Sequence, residues 1–148
     1  MKQEQKELLL KDLCARLPYG VIVETPNGKG RVCDINLTIF GYEFGVNVNP
    51  TIRENFSINY VKPYLFPLSS MTDKQEKEIQ EIVGNPNNAC IIRKTDGLEL
   101  WLDYIDTDPT ICLDAIFEVK DYLNKKHFDY RGLIEKGLAI DATGLNIY

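Results

Sequence analysis

One histidine and one tryptophan stand in a chain of 148 residues, and this scarcity narrows the chemistry open to it. His127 cannot by itself build a multi-histidine metal centre. The four cysteines, Cys14, Cys33, Cys90 and Cys112, are widely spaced with no Cys-x-x-Cys pair. Zinc sites draw on paired ligands at short spacing, so no metal is expected, and the thiols read as small buried core side chains. No glycine-rich phosphate cradle precedes a helix, and no cofactor is expected. Long apolar runs are missing too: none approaches the roughly 20 residues of a membrane span. The first seven residues mix both charge signs and do not resemble a secretory leader. The expected location is the cytoplasm, where thiols stay reduced.

A basic surplus is the last absence. Seventeen Lys and Arg face 22 Asp and Glu, for a net charge of −5, which argues against bulk attraction to nucleic acid. The imbalance is local. Up to Leu68 there are eight basic and seven acidic residues; from Ser69 onward there are nine and fifteen. A polyanion-binding second half is therefore not expected.

Material for a core is present. Hydrophobic residues make up 44% of the chain, with eight tyrosines and six phenylalanines, enough to exclude wholesale disorder. From Gln3 to Arg16 the spacing predicts a helix with Leu10, Leu13, Cys14 and Leu17 as its apolar stripe, ended by Pro18. Short β-branched runs follow. Val21 to Thr25 and Arg31 to Leu37 flank Asn27-Gly28, a hairpin signal. Glu43 to Val48 and Phe56 to Val61 add two more, separated by Asn49-Pro50. Short strands joined by tight turns predict a small SH3-like antiparallel β-barrel, whose closure would remove exposed edges.

Tyr60 to Thr72 joins the two halves. A flexible linker would be polar, whereas this stretch carries Tyr64, Leu65, Phe66 and Leu68, so Tyr64 and Leu65 are expected to be buried. Thr72-Asp73-Lys74-Gln75 is a capping box opening a surface helix with Ile79, Ile82 and Val83 inward. Ala89 to Lys94 and Leu98 to Ile105 flank Asp96-Gly97 and predict a second hairpin. Asp108 and Pro109 then start a helix with Cys112, Ala115, Ile116, Val119 and Leu123 on its apolar face. The acids before it do not fit a calcium loop, for no glycine stands at the sixth position from Asp106 and Phe117 takes the place of the bidentate Glu. The expected class is α+β: an N-terminal helix and SH3-like barrel in 1–68, then a helix–β-hairpin–helix unit with a docked C-terminal segment in 69–148.

Three functions compete. A surface of Lys29, Arg31, Tyr42 and Arg53, with Trp101 and the His127, Asp129 and Arg131 segment, suits a non-enzymatic protein–protein interaction or adaptor protein with a protein partner. A nucleic-acid-binding module would use the barrel face, stacking bases on Tyr42 and Tyr60 beside the cations. An enzyme would use His127 and Asp129, a carboxylate orienting a group that titrates near neutrality. No nucleophile accompanies that pair in the motif.

The strings Lys62-Pro63-Tyr64-Leu65 with Pro67 and Ser69-Ser70-Met71-Thr72, and His127-Phe128-Asp129-Tyr130-Arg131-Gly132-Leu133-Ile134-Glu135-Lys136-Gly137-Leu138-Ala139, resemble a family of uncharacterised gut Bacteroidales proteins encoded on chromosomes and in phage regions. The Leu17-Pro18-Tyr19-Gly20 string fits the same resemblance. It implies a cytoplasmic, phage-associated or mobile-element protein and carries over no activity, cofactor or catalytic residue.

Overall fold

A computed structural model describes residues 1–49, 51–84, 89–94, 97–102 and 109–148, without the side chains of 89–94, 97–102 and 109–113. The chain forms two compact units, Met1–Leu65 with Arg131–Tyr148, and Phe66–Tyr130. The sequence-based division at 68/69 placed the C-terminal stretch with the second half; in these units residues 131–148 group with the first.

In the first unit, helix α1 (Gln3–Arg16) spans the expected residues but buries a different stripe. Leu9, Asp12, Leu13 and Arg16 are inward, while Cys14 is exposed and Leu10 and Leu17 only partly buried. Spacing i, i+3, i+4, i+7 holds for both sets; the true one is shifted by one residue and includes two charges. The strands β1 (Ile22–Thr25), β2 (Gly28–Thr38), β3 (Gly41–Asn49), β4 (Ile52–Ser57) and β5 (Lys62–Pro67) pair antiparallel in the order β4-β3-β2-β1-β5. Leu9 and Leu13 cover Val21, Val23, Val32, Phe44, Val46, Phe56, Ile58 and Val61 to make the main core. A short β9 (Ile140–Asp141) runs parallel to Tyr64 and Leu65 of β5.

The second unit holds the end of β5, helix α2 (Asp73–Val83), the hairpin β6 (Ala89–Lys94) and β7 (Gly97–Leu102), helix α3 (Pro109–Lys125), and β8 (Phe128–Asp129). The capping box forms as expected. The Gln75 amide donates to Thr72 Oγ1 at 3.3 Å and the Thr72 amide donates to Gln75 Oε1 at 2.8 Å. Hairpin register runs from Ala89 opposite Leu102 to Lys94 opposite Gly97; Asp96 of its turn and the expected cap Asp108 lie outside the described residues. Phe66 and Pro67 pair parallel with Phe128 and Asp129. Met71, Ile79, Val119, Leu123 and Phe128 form the core of this unit. Ile116, expected inward, is exposed.

The class is therefore α+β, but the seven-stranded sheet is mixed and not closed. The SH3-like antiparallel barrel expected from the sequence is not confirmed: among the described residues β4 pairs with β3 alone. Two parallel pairings onto β5 take the place of closure. The stretch read as a connector is thus itself a strand, and Tyr64 and Leu65 are buried as expected. Among the described residues no helix is long and apolar enough to cross a membrane.

Candidate functional site

Register decides which of the expected surface residues can act together. Arg31 of β2 lies opposite Asn47 of β3, which lies opposite Arg53 of β4. Side chains directly opposite share a face, so both arginines sit on one face, with Lys29 two residues back on the same side. Tyr42 lies on the other face. It is in phase with Phe44 and Val46, which are buried in the core. The Tyr42 platform and the cations are therefore on opposite sides of the sheet, while Tyr60, the other expected platform, lies outside the strands at the end of Ile58–Tyr60 and is exposed.

The cations also have local partners. Arg53 binds Asp34 at 2.6 Å. Burial pushes the Asp34 carboxyl up, but bonds from Arg53, Cys33 and Asn36 outweigh it and hold the group below its usual range. Lys29 Nζ stands 5.0 Å over the Tyr64 ring. Cys33 follows buried Val32 and so points outward, where its thiol donates to the Gly45 carbonyl at 3.1 Å; the bulge between Val32 and Asp34 then shifts the alternation, so that Ile35 faces the core opposite Phe44. Cys14 and Cys33 are both exposed, contrary to the expected core thiols. Those of Cys90 and Cys112 lie outside the described side chains, as does that of Trp101.

His127, Asp129 and Arg131 do not form one exposed face. His127 has φ 58°, a left-handed conformation usually given to glycine at the residue after a helix. Its amide donates to Asn124 at 3.1 Å, and its carbonyl accepts from Phe66 at 2.9 Å. The side chain is buried, as is that of Asp129. His127 ends α3 and ties it to β5, a structural task that accounts for its place in the fold. Arg131 instead reaches Asp12 of α1 at 3.1 Å. Asp12 also pairs with Arg16 at 2.8 Å, with both side chains fully buried.

A tyrosine hydroxyl near the C-terminus joins the sheet, although Tyr148 as a whole is 45% exposed. Tyr148 Oη donates to the Tyr64 carbonyl at 2.7 Å and accepts from the Ile22 amide at 3.3 Å. Tyr64 Oη donates to Glu24. Burial, then the Glu24 carboxylate, pushes the Tyr64 phenol up to about 12. Burial does the same for Tyr148, also to about 12. In the second unit, burial and then Glu78 raise Tyr122, whose hydroxyl donates to Glu78 at 2.7 Å. The native state thus holds these protons above the ordinary phenol value of 10.0. The stability they contribute is present below pH 10 and is lost as the pH rises towards 12. For buried Tyr64 this is on the order of 2 kcal/mol. Thermal midpoints measured across that pH range, with tyrosinate absorbance, are expected to fall, and Tyr64→Phe is expected to flatten the decline.

Of what is the least covered apolar surface among the described residues, the sequence singles out one residue, Tyr42. Beyond Ser57, which pairs with Glu43, strands β2 and β3 continue as a two-stranded ribbon. Leu37 lies opposite Tyr42 and Ile35 opposite Phe44. Leu37 and Tyr42 thus extend the core face past the point where the core ends. Leu37 is 74% exposed, Ile39 93%, Phe40 88% and Tyr42 42%. The other face carries Asn36 opposite Glu43 and Thr38 opposite Gly41.

The turn at the ribbon tip does not require its apolar residues. Thr38 Oγ1 accepts from the Phe40 amide and donates to the Gly41 carbonyl, and Gly41 takes φ 109°. The β1–β2 turn repeats this construction. There Thr25 Oγ1 accepts from the Asn27 amide and donates to the Gly28 carbonyl, with φ 110° at Gly28. Pro26-Asn27 fills one turn and Ile39-Phe40 the other. The signal in the sequence was Thr-x-x-Gly with two large apolar residues where polar ones are usual. Compared with family models, curated proteins and solved structures, the chain matches none.

Proposed function

We propose that this chain is a non-enzymatic protein–protein interaction or adaptor protein, acting in the cytoplasm, whose main contact surface is the β2–β3 ribbon. The uncovered apolar strip formed by Leu37, Ile39, Phe40 and Tyr42 carries the reading. Clustered exposed apolar side chains on a projecting element mark interaction sites, whereas single ones do not. Tyr and Phe are favoured anchors because they cover much area with few rotatable bonds. A phage or mobile-element setting rests on the sequence resemblance.

Capture from the cells of origin with wild-type chain and with Phe40→Asp, followed by mass spectrometry, tests this. A partner retained by wild type and lost by the variant is expected; identical recoveries overturn the reading. Nucleic-acid binding is the second reading, weakened by the opposed placement of Tyr42 and the cations. A mobility-shift series with single-stranded DNA is expected to show no complex at low salt, since a cation-driven complex would appear there first. The enzyme reading is not preferred, because His127 and Asp129 are both buried.

A further inference from the structure

We propose that the ribbon docks against the same ribbon of a second copy of this chain, giving a symmetric dimer. The inference rests on the interaction reading above and names its partner. Three observations favour a second copy.

The first is charge. Ile35-Asn36-Leu37-Thr38-Ile39-Phe40-Gly41-Tyr42 contains no ionisable acid or base apart from the tyrosine phenol, in a chain that is 26% charged. Two copies each carry −5, so a stable self-contact needs a neutral patch at its centre. A hetero-partner chosen by electrostatic complementarity would instead meet charges here.

The second is the backbone. β1 pairs with β2 only as far as Arg31, with a last bond from the Val32 amide to Val21. From Cys33 to Thr38 the outer edge of β2 has no strand beside it among the described residues. Such an edge is a template for another strand. Antiparallel pairing of this edge with its own copy is symmetric by construction, so each copy offers the same surface and receives the same surface. The third is area. At about 150–200 Å² per large side chain, the four residues present on the order of 500 Å². Two copies then bury about 1,000 Å², the lower end for a specific interface. The dimer is accordingly weak and concentration-dependent.

Sedimentation velocity on the full chain, from low micromolar to a few hundred micromolar, reads this directly. Wild type is expected to move from 17.0 kDa towards twice that mass. Phe40→Asp is expected to stay at the lower mass throughout, with an unchanged circular dichroism spectrum, because the matching Pro26-Asn27 turn tolerates polar residues. Leu37→Ser, on β2 rather than in the turn, is the second variant and is expected to behave alike. A wild type that remains at 17.0 kDa overturns the proposal, as does self-association unchanged in both variants. If wild type is monomeric while Phe40→Asp still abolishes capture of another protein, the second-copy proposal falls and the interaction reading stands. If neither self-association nor capture changes, both fall.

Discussion

Replacing Asp12 with alanine is expected to destabilise the protein by about 3–5 kcal/mol, the cost of removing one partner from a buried ion pair. Asp12 and Arg16 are both fully buried on the inner side of α1, four residues apart. Two bonds join them, from Arg16 Nε at 2.8 Å and from Arg16 Nη2 at 3.0 Å. Arg131 Nε adds a third donor at 3.1 Å to the same carboxylate. Alanine would leave two guanidinium groups without this acceptor, one fully buried and the other nearly so. A loss of that size is a large fraction of the roughly 5–15 kcal/mol that holds a typical domain together. It should lower the thermal midpoint by about 10 °C.

A second variant separates charge burial from packing. Asp12→Leu with Arg16→Met and Arg131→Met removes all three charges and keeps apolar volume, and should recover much of the loss, since apolar replacement of a whole buried ionic cluster is often neutral. If Asp12→Ala melts within a degree or two of wild type, the pair contributes little and α1 is held by its apolar contacts, Leu9 and Leu13 foremost.

The same cluster shows where sequence reading stopped. Extent and termination of α1 followed from periodicity and Pro18. Its buried face did not, because Asp12 and Arg16 look like solvent-facing residues until Arg131, 119 positions away, is placed beside them. Charges enter a core only when their partners are supplied, and a distant partner leaves no local trace. The capping box at Thr72 and Gln75 and the Asn27-Gly28 turn were readable because their bonds close within three residues. The parallel pairings that replace barrel closure were not. Two-residue strands such as β8 and β9 carry no alternation. His127 reads as half of an acid–base pair because its chemistry is visible in the string, whereas its left-handed backbone is not. The ribbon was half visible: alternation identified its strands, but only the register shows that Leu37 and Tyr42 continue the core face into solvent.

Leu65→Ala is expected to cost about 2–5 kcal/mol, the range for truncating a large buried aliphatic side chain. Sequence and structure agree on this residue for different reasons. A run of Tyr64, Leu65 and Phe66 between two prolines, followed by Leu68, has too much apolar surface to stay in water. In the folded chain Leu65 is fully buried among Leu133, Leu138 and Ala139, with Leu8 packed against the same cluster. Its backbone holds the C-terminal segment as well: the Leu65 carbonyl accepts from the Ala142 amide at 2.8 Å, and Leu65 stands opposite Asp141 in the parallel pair. The alanine variant keeps those backbone bonds but removes the side chain that Leu133 and Leu138 pack upon. Denaturant unfolding should show a lower midpoint with an unchanged slope. Lys62→Ala, at an exposed position of the same strand, should stay within about 0.5 kcal/mol of wild type. Were both variants equally mild, Leu65 would not anchor the C-terminal segment. Its long-range attachment would then rest on its backbone bonds, the Arg131–Asp12 pair and the Tyr148 hydroxyl.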